Sequence, residues 1–197
     1  MELLGTSGLV LCGGASSRMG RDKARVELDG RPLLAHALAV FDALGVPARL
    51  ACGAQPRYAE FARECVLDDT AGAGPLAGLT VGLEAAARAG DDWVAVLACD
   101  MPRARAEVLA RLLAHARREG LAACLAGLER GSQPAYAVYH TRCAVPARAA
   151  LEAGERRLVA FHGALAVGVL PLERDAATAL NLNTPDELAR ATAEGSR

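Results

Sequence analysis

Gly8-Leu9-Val10-Leu11-Cys12-Gly13-Gly14-Ala15-Ser16-Ser17-Arg18-Met19-Gly20-Arg21-Asp22-Lys23 runs a short apolar segment straight into a loop of glycines, hydroxyls and cations. The apolar part reads as a first strand. The glycines let the backbone turn sharply and bring N–H groups close to a ligand, while Arg18 and Lys23 add positive charge. In composition this is a phosphate cradle; a glycine-rich surface turn with stray charges satisfies it equally well. The spacing is not GxxxxGK[ST], because Gly20 is followed by Arg21-Asp22-Lys23, and GxGxxG is absent too.

Outward from this stretch, short apolar runs alternate with helical periods. Pro32 to Leu44 is helical, with Pro near its start. Arg49 to Cys52 is a second strand, Pro56 to Arg63 a short helix and Cys65 to Leu67 a third strand. Pro75 to Arg88 is a helix. Trp93 to Ala98 is a continuous apolar run, the mark of a strand buried on both faces. Ala106 to Arg118 is a helix with basic residues in its last turn. Ala122–Ala126, Ala135–Tyr139 and Val167–Leu170 are further strands, and Cys143–Ala153 and Pro185–Glu194 further helices. This alternation predicts βαβ units: one Rossmann-like three-layer α/β/α domain over residues 1–197 with a mostly parallel sheet. Ligands bind such sheets beyond the carboxyl ends of the strands.

The 197 residues suit one domain with a sizeable core. With 22 Lys and Arg against 23 Asp and Glu, the net charge of −1 argues against a nucleic-acid or membrane-surface partner. No apolar run approaches the roughly 20 residues that cross a bilayer. Met1 to Gly5 lacks the basic-then-apolar start of a signal peptide. The six cysteines show no metal spacing and mostly sit in apolar runs, as buried free thiols of a cytoplasmic protein do. A monomer is expected. His36, His115, His140 and His162 are dispersed and read as structural or exposed.

The signature Leu-x-Gly-Gly-x-Ser-x-Arg-Met-Gly-x-Asp-Lys resembles the opening of nucleotidyltransferases of the molybdenum cofactor guanylyltransferase (MobA) type. Further segments match in order: Gly30-Arg31-Pro32-Leu33, Gly74-Pro75-Leu76-Ala77-Gly78, Ala98-Cys99-Asp100-Met101-Pro102 and Asn181-Leu182-Asn183-Thr184-Pro185. Gly154-Glu155-Arg156-Arg157 also looks like a family segment. The resemblance implies transfer of GMP from GTP to the terminal phosphate of molybdopterin, or of molybdopterin already bearing molybdenum. A cytidylyltransferase using CTP and a non-catalytic carrier of GTP or cofactor are the rivals. Transient contact with cofactor-insertion and target enzymes is implied as well.

Residue by residue, the resemblance assigns Lys23 and Arg18 to the triphosphate and to charge growing on the leaving pyrophosphate. Asp100 becomes the Mg²⁺ ligand, since Mg²⁺ is commonly held by one or two carboxylates plus phosphates; an N-cap before a helix would also explain it. Leu11, Cys12, Gly13 and Gly14 lie along the nucleotide through main-chain groups. Asp69 would accept hydrogen bonds from guanine or ribose, with Asp68 the neighbour that can be mistaken for it. Gly78 belongs to the Gly74–Gly78 turn, where helix N-terminal amides offer a phosphate or pterin site. Asn181 and Asn183 would orient the metal's water or the acceptor. Thr184 is read as a helix N-cap. Arg156 and Arg157 either meet the acceptor phosphate or are surface charges. One departure concerns Cys52-Gly53, near which the family often carries Asn.

Overall fold

The computed structural model describes residues 3–13, 22–69, 72–129, 131–182 and 187. Its elements run β1 (Thr6–Leu11), β2 (Glu27–Leu28), β3 (Arg31–Pro32), α1 (Leu33–Leu44), β4 (Ala48–Ala51), β5 (Cys65–Val66) and α2 (Gly74–Arg88). They continue with β6 (Trp93–Ala98), α3 (Ala106–Arg118), β7 (Ala123–Leu128), β8 (Gly131–His140), α4 (Ala144–Glu152) and β9 (Val167–Pro171). The helix expected over Pro185–Glu194 and its Thr184 cap lie outside the described residues.

Seven strands form one sheet in the order β5-β4-β1-β6-β8-β7-β9. Only β8 runs against its neighbours; β1 pairs parallel with β4 and β6, and β7 with β9. The exception follows from chain length: β7 ends at Leu128 and β8 begins at Gly131, far too short a link for a parallel crossover. Helices α1 and α3 pack together, as do α2 and α4, which completes the three-layer Rossmann-like α/β/α architecture.

β1 and β6 are buried almost throughout, so their apolar runs carry little alternation. The layers are tight around β1. A Cβ on Gly82 of α2 would lie 2.3 Å from Leu9, and one on Gly8 would lie 2.5 Å from the Phe41 ring of α1. Small residues at these two points bring both helices onto the central strand.

One local expectation needs correction, and one local element is new. Pro56–Arg63 is not a helix; only Ala59–Phe61 turns, between Tyr58 and Ala62 at positive φ of 65° and 51°. Tyr58 is held there by tertiary anchors, because its buried ring sends its hydroxyl to Asp22. Leu28 and Arg31 pair in a small hairpin whose Asp29-Gly30 turn has φ of 52° and 72°, the geometry that Asp-Gly favours. Among the described residues no helix is long and apolar enough to cross a membrane.

Candidate active site

The loops after β1, β4, β5 and β6 meet at one rim of the sheet. Cys12 and Gly13 both donate their N–H to the Ala51 carbonyl, at 3.1 and 2.7 Å. A Cβ on Gly13 would sit 2.6 Å from the Gly53 nitrogen, so only glycine lets these two loops touch. Gly14 and Arg18 lie outside the described residues. The loop returns at Asp22, whose carboxylate accepts from the Tyr58 hydroxyl at 2.9 Å, from Arg57 at 2.6 Å and from the Ala24 N–H at 3.3 Å. Tyr58 also reaches the Cys12 carbonyl at 3.4 Å. Asp22 thereby caps the short turn Lys23–Arg25 and fixes where Lys23 starts.

Lys23 Nζ lies 2.5 Å from Asp100 Oδ2, with the two side chains 18% and 12% exposed. Asp100 Oδ1 accepts from Asn181 Nδ2 at 2.9 Å, and Asn181 Oδ1 accepts from Gln133 Nε2 at 2.8 Å. The Leu182 N–H donates to the Asp100 carbonyl at 2.9 Å, which ties the C-terminal segment to the rim. Asp100 is not an N-cap: α3 starts at Ala106, its N-cap position is Arg105, and the Arg105 N–H goes to the Tyr136 hydroxyl at 2.8 Å. Asn183 lies outside the described residues.

Beside this cluster opens a cleft of about 470 Å³ lined by Leu11, Gly13, Ala51, Cys52, Gly53, Ala54, Gln55, Arg57, Asp68, residues 72–75 and Gly78. Here the acidic pair sorts itself. Asp69 is 68% exposed and pairs with Arg148 at 2.9 Å, and Arg148 also grips Glu84. Asp68 is the residue on the cleft wall, and its Oδ1 is buried without a hydrogen-bond partner. Burial first, and then the charge of Asp69, hold the Asp68 carboxyl above the ordinary carboxylate value. Of the two, Asp68 rather than Asp69 faces the cleft.

At the start of α2 one of the free helix amides is already used. Its N-cap, Ala73, offers no side-chain acceptor, but the Leu76 N–H is already taken by the Arg156 carbonyl at 3.2 Å. That amide is not open to a phosphate. Arg156 comes to the cleft edge through its backbone, while its guanidinium bonds the Glu155 carbonyl at 3.1 Å. The Arg157 carbonyl accepts from the Ala160 N–H at 3.1 Å. None of the four histidines lines the cleft.

Asp22, Arg57, Tyr58 and Gln133 join the site without having been expected in it. The cap position of Asp22 was a legible signal; the other three come from distant segments and carry none. Among the described residues, no group of three or more His, Cys, Asp or Glu side chains is placed to hold a metal ion. Asp100, a single hard carboxylate beside a cation, fits an ion whose remaining ligands are phosphate oxygens and water.

A family model described as the MobA-like NTP transferase domain matches residues 8–166. A protein of Opitutus terrae named "Probable molybdenum cofactor guanylyltransferase" is 41% identical over 160 residues, 81% of this chain and 78% of that protein. The molybdenum cofactor guanylyltransferase of Pseudomonas fluorescens is 35% identical, covering 91% of this chain and 90% of its own length. The solved molybdopterin-guanine dinucleotide biosynthesis protein A of Archaeoglobus fulgidus is 26% identical, with a TM-score of 0.82 over 96% of this chain and 98% of its own. A 2-C-methyl-D-erythritol 4-phosphate cytidylyltransferase of Thermus thermophilus shares the fold at 20% identity, with a TM-score of 0.68 over 96% of this chain and 98% of its own.

Proposed function

This chain belongs to the MobA-like NTP transferase family, and on that premise we propose that it is a nucleotidyltransferase that moves GMP from GTP onto the terminal phosphate of molybdopterin. The observation that carries this reading is the convergence of Lys23, Asp100 and Asn181 beside the cleft that Asp68 lines. One end suits charged phosphates; the other suits a base.

An acceptor phosphate oxygen, already anionic near neutral pH, attacks the α-phosphorus of GTP. The bond to the bridging oxygen breaks and pyrophosphate leaves. No strong general base is needed, because the attacking oxygen is already ionised. Lys23 stabilises charge on the departing phosphates. Asn181 holds the Asp100 carboxylate in place, and Gln133 holds Asn181. Leu11 and Gly13 line the cleft along the nucleotide, while the Cys12 and Gly13 N–H groups stay on the Ala51 carbonyl and shape the wall. The Asp68 carboxylate accepts from the N1 and N2 donors of guanine, and the same oxygens would meet the lone pair of cytosine N3. Mg²⁺ held by Asp100 would neutralise phosphate charge and polarise the phosphoryl group. The expected cellular setting is the cytoplasm, with the chain acting as a monomer and handing its product to insertion and target enzymes.

Competition of GTP with CTP in a molybdopterin turnover assay tests the reading. Preferential use of GTP supports it. Faster use of CTP makes the enzyme a cytidylyltransferase. Nucleotide binding without turnover makes it a carrier.

A further inference from the structure

Cys52 stands one residue past β4, in the cleft wall, where its residue surface is only 2% exposed. Cys65 stands in β5, partly exposed, opposite Leu50 in the parallel ladder. The two sulfurs lie 2.8 Å apart. A disulfide bond is about 2.0 Å long, so less than about 1 Å of further approach would close it. The Arg57 carbonyl lies behind both thiols, 3.1 Å from Cys65 Sγ and 3.7 Å from Cys52 Sγ. Cys12 flanks Cys52 on the other side, with its own thiol donating to the Ala51 carbonyl at 3.3 Å.

We infer that Cys52 and Cys65 are a redox-responsive thiol pair: a hydroperoxide oxidises Cys52 through the open cleft, Cys65 resolves the product to a reversible disulfide, and a nucleotide in the cleft prevents both steps. The nucleotide part rests on the function proposed above; the thiol chemistry does not. The Cys52 thiolate attacks the O–O bond of the hydroperoxide, takes one oxygen to become a sulfenic acid, and releases an alcohol or water. Cys65 sulfur then attacks Cys52 sulfur and displaces hydroxide, which leaves as water with the Cys65 proton. The two thiols lose two electrons and two protons, and the hydroperoxide gains them.

Reactivity is selective here. Contact with the Cys12 thiol first, and with the Cys65 thiol, against the opposing effect of burial, draws the Cys52 thiol down to about 6. Burial pushes Cys99 up to about 12, and Cys124 and Cys143 up to about 11. These three are buried and do not line the cleft.

The test treats the reduced full-length protein with hydrogen peroxide, with and without GTP, and reads intact mass and a peptide map. The expected result is loss of two hydrogens per chain, a Cys52–Cys65 cross-link, and reversal by dithiothreitol. Cys65→Ser stops at a dimedone-reactive sulfenic acid, and Cys143→Ser cross-links like the parent. Saturating GTP slows cross-linking at least about tenfold. Absence of a cross-link in the parent protein, or a Cys12–Cys52 cross-link instead, overturns the pair. A rate indifferent to GTP that calorimetry shows to be bound overturns the gating. If calorimetry finds no GTP binding, the functional reading fails, while a Cys52–Cys65 cross-link still sustains the thiol pair.

Discussion

At one end of the crevice Asp100 uses both carboxylate oxygens inside the protein, on Lys23 and Asn181. At the other end Asp68 keeps Oδ1 buried and unpartnered. Both are aspartates just past a strand of the same sheet, so the difference lies in what surrounds them. The Lys23 end is a finished network, organised before any ligand arrives; such preorganised charge needs no rearrangement during reaction. The Asp68 end is unfinished. A buried acceptor without a donor costs about 1–3 kcal/mol, and a ligand that brings donors relieves that cost.

The largest expected effect comes from breaking the finished end. Lys23→Ala and Asp100→Ala each lower turnover about 10²- to 10³-fold, read as pyrophosphate release, with circular dichroism confirming the fold. If both variants turn over like the parent, the network is structural only.

The unfinished end gives the next effect. Asp68→Asn should weaken GTP binding roughly ten- to a hundredfold, the worth of a hydrogen bond to a charged acceptor, while Asp69→Asn, whose carboxylate faces Arg148, changes it by less than about threefold. Calorimetric titration of both variants decides, and the reverse order would return the role to Asp69. Asp68→Asn should also raise the melting temperature. The folded-state pKa of Asp68 is raised, so at neutral pH its charge opposes folding, and that penalty vanishes as pH falls through the folded value.

Tyr58→Phe sharpens the comparison from the loop side. It removes the 2.9 Å bond to Asp22, which should cost about 1 kcal/mol of stability and raise KM for GTP a few-fold with kcat little changed. A fall in kcat alone would place the tyrosine's role elsewhere.

The smallest effect belongs to the far half of the sheet. Burial lowers the pKa of His140, aided by Arg142, and of His162, whose Nε2 is buried without a partner. A depressed histidine favours the folded state above its ordinary value of 6.5, and stability is lost as pH falls through that value and then the folded one. The melting temperature should fall between pH 7 and pH 5, and His162→Phe should flatten that slope. An unchanged slope would mean other groups carry the acid sensitivity.

Trp93–Ala98 and Ala106–Arg118 occupy the ranges that their patterns predict, because a continuous apolar run and an amphipathic period are local properties of the chain. The Asp29-Gly30 hairpin was equally local and was overlooked. Pro56–Arg63 failed for the opposite reason: Tyr58 takes a left-handed conformation to reach Asp22, 36 residues away. The acidic pair is a finer case. Adjacent residues on an extended segment point to opposite faces, so a motif that supplies two aspartates leaves open which one enters the cleft.

What the amino-acid order determined by itself is the strand–helix alternation, the glycine-rich turn after the first strand, and the kinds of side chain carried to the sheet's rim; each depends on neighbours a few positions away. What only the tertiary structure decided is pairing across long separations: Lys23 on Asp100, Asn181 on Asp100, Cys52 on Cys65, the reversed direction of β8, and the burial of Asp68 rather than Asp69. The reason is physical. Hydrogen bonds and ion pairs act over a few ångströms, and distant segments come within that range only after the core has packed.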